Sequence, residues 1–194
     1  MNICIYGASS NAIDKSYMVE VEKFSEKMAK RGHGLVFGAG ASGLMGASAR
    51  GVYKAGGYMV GVVPSFFNVD GTLFENCNEL IRTETMRERK RILDERADAF
   101  VMVPGGIGTF DEFFEILTLK QLGRHTKAIV VYNINGYFDA LLDMMKKSVD
   151  ENFIYENVTE LYTVMTDADE ILDYLEGYVP KEIDPVFFKD VTRK

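Results

Sequence analysis

The segment Pro104-Gly105-Gly106-Ile107-Gly108-Thr109-Phe110-Asp111-Glu112 sets three glycines just ahead of a carboxylate. The apolar run before it, residues 99–103, is too short for a helix and is bounded by Pro and Gly, so it predicts a buried strand. After it, Phe113, Ile116, Leu117 and Lys120 recur at helical spacing, and Thr109 is placed to cap the helix start. The glycines then lie between a strand's carboxyl end and a helix's amino end. Unpaired backbone N–H groups at such a junction face an anion, and the missing side chains let a phosphate come close. A phosphate cradle with an acid beside it points to chemistry on a phosphorylated molecule.

A second group is Met86-Arg87-Glu88-Arg89-Lys90, at the start of a charged helix. Met86, Arg89 and Lys90 stand at i, i+3 and i+4 and share one face. Charge runs of this kind commonly describe a solvated helix. Cations in the first turns, however, oppose the helix dipole, which is easier to accommodate if an anion or carboxylate sits opposite.

Strands and helices alternate along the whole chain. Strand 2–6 leads through Gly7-Ala8-Ser9-Ser10 to a helix near 14–31, and strand 34–37 leads through a Gly-rich loop, 38–43, to a helix near 43–56. Strand 58–63 runs into a loop at about 64–78, the usual uncertainty on such boundaries being a few residues. Strand 79–83 precedes a helix at 85–97, and strand 99–103 precedes the helix after the 104–109 loop. Strand 127–132 precedes a helix near 137–150, and strand 161–165 a short helix at 167–176. The pattern predicts an α/β fold: one Rossmann-like, doubly wound parallel sheet with helices on both faces. A single domain spans 1–194, with a core of about 2–176 and a polar tail at 177–194. Ligands in such sheets collect at the carboxyl ends of the strands, where strand order reverses. Ser9 and Gly40, in the two other Gly-rich loops, are expected beside the same ligand. The three loops carry neither a Walker lysine nor a full dinucleotide fingerprint, so a mononucleotide fits better than a redox dinucleotide.

Composition narrows the class further. The chain has 194 residues, 47% hydrophobic and 26% charged, in the range of an ordinary globular protein. A net charge of −7 argues against a nucleic-acid partner. No apolar run approaches the roughly 20 residues of a membrane span, and no signal segment is recognisable, so a cytoplasmic protein is expected. Cys4 and Cys77 form no framework and match no metal spacing; His33 and His125 have no ligand spacing, and His125 reads as a packing or interface residue. The methionines at 28, 45, 59, 102, 144 and 145 read as core filler. No metal or other cofactor is expected.

The two motifs together resemble the paired MxxRK and PGGxGTxxE signatures of the Lonely Guy family, cytokinin-activating phosphoribohydrolases long mislabelled lysine decarboxylases. Residues 37–46, ending Gly43-Leu44-Met45-Gly46, resemble the family's YGGGxxGLMG loop, with Phe37 and Ala39 in place of its tyrosine and middle glycine. Residues 121–127 and Asn135-Gly136-Tyr137-Phe138 resemble its downstream segments. Ile107 and Arg87 stand where plant members commonly carry tyrosine and histidine, which touches the preferred base more than the reaction. The resemblance implies hydrolysis of the N-glycosidic bond of a purine riboside 5′-monophosphate, with adenine or N6-substituted adenine as base. It assigns catalysis to Glu112 and Arg89, with Arg89 positioning Glu112 and the sugar phosphate. Met86, Lys90, Gly105, Gly106, Ile107, Gly108, Thr109 and Thr118 become substrate contacts, and the active chain becomes a homodimer. Glu112 is expected in its helix's first turn, where the dipole favours the ionised carboxylate, and Asp111 as a surface acid. The rival reading is a nucleotide or cofactor carrier of the same fold that binds without turnover. A lysine decarboxylase is a poor third, because Lys90 among other charges is no warrant for a Schiff base.

Overall fold

The computed structural model describes residues 1–67 and 71–184. Residues 68–70 of the expected loop and 185–194 of the expected tail lie outside the described residues. Seven parallel strands form one sheet: β1 (Asn2–Tyr6), β2 (Gly34–Phe37), β3 (Met59–Pro64), β4 (Glu79–Thr83), β5 (Ala99–Met102), β6 (Ala128–Tyr132) and β7 (Thr163–Met165). Their spatial order is β4-β3-β2-β1-β5-β6-β7. The order therefore reverses between β1 and β5, which pair directly from Ile3 opposite Ala99 to Tyr6 opposite Met102.

The helices are α1 (Lys15–Lys30), α2 (Gly43–Lys54), α3 (Met86–Arg96), α4 (Ile107–Gln121), α5 (Asp139–Asp150) and α6 (Ala168–Glu176). Alternation along β1 sorts them onto two faces. Ile3 and Ile5 pack with Phe24 and Met28 of α1, Leu44 and Val52 of α2, and Ile171 and Leu172 of α6. Cys4 and Tyr6 point the other way, to Leu93 of α3 and Phe113, Ile116 and Leu117 of α4. β1, β2, β3, β5 and β6 are almost wholly buried apolar runs, as a sheet covered on both sides requires.

Four local expectations are corrected. Helix α4 starts at Ile107, with Gly106 as the capping residue, so Thr109 is not the cap. The Gly106 carbonyl accepts the Phe110 N–H at 3.0 Å, which closes the first turn early. As a result Glu112 lies in the second turn, and the first turn holds no acid. Residues 137 and 138 do not open the next helix: a short 3-10 turn, Ile134–Gly136, precedes α5. The last strand begins at Thr163, after a 3-10 segment, Glu156–Leu161. Finally, Met144 is 61% exposed and is no core filler, because α5 buries none of its residues in this chain.

Candidate active site

The loops after β1, β2 and β5 converge on a cavity of about 590 Å³ at the carboxyl edge of the sheet, beside the β1–β5 reversal. Gly7–Ser10, Gly38, Gly40 and the α4 start from Gly106 to Thr109 form its floor and one wall. Val63, Phe67, Leu73 and Met45 make the other side apolar. The loop after β3 is tied down by backbone bonds: Ala41 N–H donates to Thr72 and Phe74 N–H to Ala39, each at 2.9 Å. Volume and mixed lining suit a ligand of nucleotide size.

Arg89 and Glu112 meet within this cavity. Arg89 Nη1 donates to Glu112 Oε1 at 2.7 Å, and Arg89 Nε donates to the Val62 carbonyl at 3.1 Å. A charged fork held by both a carboxylate and a strand carbonyl has little freedom left. Gly38 makes room for it, since a Cβ there would overlap Arg89 Nη2. The cationic start of α3 is offset locally: Thr85 Oγ1 accepts the Glu88 N–H at 3.1 Å, while the Glu88 carboxylate accepts the Glu84 N–H at 2.8 Å. Burial pushes the Glu112 carboxyl above its usual range, and Arg89 offsets part of that rise. Desolvation, offset chiefly by Arg89 and to a smaller extent by Lys90, is therefore the main influence on its ionisation, where the sequence pointed to the helix dipole.

The α4 start presents the N–H groups of Ile107, Gly108 and Thr109, which have no partner one turn back, toward the cavity. Thr109 is buried, its hydroxyl side packed where a Cβ on Gly105 would sit. Tyr137 Oη donates to the Gly105 carbonyl at 2.7 Å and braces the loop from outside. Met86 stands at the rim, 42% exposed, and Ile107 is 88% exposed at the mouth.

Other assigned residues lie elsewhere. Lys90 Nζ sits 3.1 Å from Asp111 and 2.5 Å from Glu115, outside the main cavity. Burial works against its charge, but those two acids more than compensate and raise its pKa. With Tyr6, Glu115 and the back of Glu112 it lines a smaller cavity of about 290 Å³. Thr118 is exposed two turns along α4 and does not line the cavity. Asp111, read as a surface acid, borders the cavity and holds Lys90. His125 packs, its Nε2 2.8 Å from the Ile116 carbonyl, and His33 faces Glu176 at 2.8 Å. Among the described residues no cluster of three or more His, Cys, Asp or Glu is arranged to hold a metal.

The model of a family described as "Possible lysine decarboxylase" matches residues 45–175. Cytokinin riboside 5′-monophosphate phosphoribohydrolase LOG2 of Arabidopsis thaliana is 35% identical over 182 residues, 94% of this chain and 85% of that protein. A probable enzyme of the same name from Oryza sativa subsp. japonica, LOGL5, is 34% identical, covering 96% of this chain and 76% of its own. The chain belongs to the Lonely Guy family. Among solved structures, the molybdenum cofactor binding protein of Rippkaea orientalis superposes with a TM-score of 0.69 at 18% identity, over 90% of this chain and 94% of that one. The molybdenum cofactor carrier protein of Chlamydomonas reinhardtii gives 0.68 at 19% identity, over 90% and 95%. At that identity both confirm the α/β fold alone.

Relative to the Lonely Guy pattern, Ala39 replaces a glycine at a residue whose φ is 61°. A side chain in that left-handed region costs about 1–2 kcal/mol. Gly61 on the neighbouring strand leaves space for the extra methyl, since a Cβ there would lie only 2.9 Å from that of Ala39.

Proposed function

We propose that this chain hydrolyses the N-glycosidic bond of adenosine 5′-monophosphate or an N6-substituted relative, releasing free base and ribose 5-phosphate. The observation that carries the reading is the buried Arg89–Glu112 bond, set in one cavity with the Gly-rich start of α4. The N–H groups of Ile107, Gly108 and Thr109 anchor the 5′-phosphate. Departure of the base builds positive charge on the ribose, and the Glu112 carboxylate stabilises that charge or takes a proton from the attacking water. Arg89 keeps enough of Glu112 ionised for this role despite its burial. Val63, Phe67, Leu73 and Met45 offer an apolar wall to the base.

The description "possible lysine decarboxylase" is not adopted. A Schiff-base lysine needs a depressed pKa, whereas Asp111 and Glu115 raise that of Lys90. We further propose a cytoplasmic homodimer. Among the described residues no helix is long and apolar enough to cross a membrane. Phe114, Leu122, Tyr137 and Met144 on and around α4 and α5 are 37%, 44%, 42% and 61% exposed, an apolar surface suited to a second copy. Light scattering should then give twice 21.8 kDa.

The deciding assay is chromatographic detection of free base from adenosine monophosphate and from isopentenyladenosine monophosphate. Wild type should release base and Glu112→Ala should not. Tight binding of the nucleotides with no base released by wild type would instead establish the carrier reading.

A further inference from the structure

A second cavity, about 750 Å³, lies where the end of α4, the 3-10 segment Glu156–Leu161, α6 and residues 177–184 come together. It shares no lining residue with the catalytic cavity. Leu161, Tyr174, Tyr178 and Ile183 supply apolar wall, and the two tyrosine rings meet edge to face at 5.8 Å. Lys120 stands among them, only 4% exposed. The Lys120 ammonium donates to Tyr178 Oη at 3.1 Å and lies 5.3 Å from the centre of that ring, and among the described residues no carboxylate forms an ion pair with it. A buried ammonium with three donors and one neutral acceptor leaves most of its desolvation unrelieved. Burial accordingly lowers its pKa to about 8. With Lys181 as the second cation beside them, exposed Glu160, Asp173, Glu182 and Asp184 stand on the same cavity. They repel a doubly charged phosphate more strongly than a singly charged carboxylate.

We propose that this cavity is a second ligand site, taking a small monocarboxylate with an apolar body whose carboxylate pairs with Lys120. The apolar part of the ligand covers the Tyr174 and Tyr178 rings, and the anion supplies the acceptors that Lys120 lacks among the described residues. No residue of this site belongs to the catalytic machinery, so occupancy and turnover separate.

Calorimetric titration of the full chain with phenylacetate tests the idea, beside the neutral isostere 2-phenylethanol. Phenylacetate should bind one to one, roughly ten- to a hundredfold more tightly than 2-phenylethanol, as a charge-assisted bond implies. Lys120→Met should bring phenylacetate down to the level of the alcohol, and Lys120→Gln provides a second variant if the first does not fold. Affinity should also fall as pH rises through about 8, where the amine loses its proton. Base release should be unaltered by phenylacetate. The proposal is overturned if wild type gives no binding at millimolar phenylacetate, if acid and alcohol bind alike, or if phenylacetate competes with nucleotide for the catalytic cavity.

Discussion

Replacing Arg89 by methionine removes the counter-charge of a carboxylate that cannot reach bulk water. Arg89 Nη1 and Glu112 Oε1 are 2.7 Å apart and both side chains are about nine-tenths buried. With the charge centres some 4 Å apart and an effective dielectric near 20, the attraction is about 4 kcal/mol. Breaking such a pair from one side typically costs about 3–5 kcal/mol, because the remaining charge stays buried and alone. Glu112 can escape only by taking up a proton. Burial already places its folded-state pKa above the unfolded value, so the stability it contributes is present below the unfolded pKa and lost as pH rises through the folded one. Without Arg89 the folded pKa climbs further, and that window widens toward neutrality. Urea unfolding of Arg89→Met should thus show its full deficit at pH 7 and a clearly smaller one near pH 5. Arg89→Met/Glu112→Gln should be more stable than Arg89→Met alone at pH 7. Equal deficits at the two pH values, with no recovery in the double variant, would refute the view that Arg89 acts on stability through Glu112.

Four further outcomes follow from the same geometry. On the proposed function, Glu112→Gln keeps the shape of the site and removes its carboxylate charge, so kcat should fall by about 10²–10⁴ with nucleotide affinity retained, measured by base release and calorimetry. Gly38→Ala places a methyl on Arg89 Nη2, and base release should drop nearly as far as in Arg89→Met while far-UV circular dichroism stays native. Tyr137→Phe removes the donor to the Gly105 carbonyl, costing about 1 kcal/mol; steady-state kinetics should show KM for the nucleotide rising severalfold with kcat little changed. Lys90→Met frees Asp111 and Glu115 and takes a favourable cation from Glu112, so the acid limb of the pH–rate profile should shift upward, with Lys90→Arg restoring it.

What could be read in the residues, and what could not, divides along a physical line. Motifs carried by contiguous backbone were legible: the alternation of apolar runs with Gly-rich turns predicted the doubly wound sheet, and all three loops do meet at one edge. The partnership of Arg89 with a carboxylate was foreshadowed by its position against the helix dipole. Features set by side chains that reach between α3 and α4 were not legible. Met86, Arg89 and Lys90 share a face by spacing, but Arg89 pairs with Glu112 inside the cavity whereas Lys90 pairs with Asp111 and Glu115 outside it. A shift of three residues in the start of α4, from Thr109 to Gly106 as cap, moved Glu112 out of the first turn, and with it changed the main influence on its charge from dipole to desolvation. Gly38 looked like part of a phosphate loop, yet the close neighbour that requires glycine there is a guanidinium from 51 positions away. The role of Tyr137 as a brace on Gly105 likewise depends on a contact spanning 32 positions. Helical spacing put Lys120 in the apolar stripe of α4, and it is indeed buried there. Its counter-ion is what spacing could not supply, because the cavity around it is closed by residues 173–184, which fold back from the far end of the chain. Local sequence therefore specified where charges would be buried, and tertiary packing decided which of them found a partner.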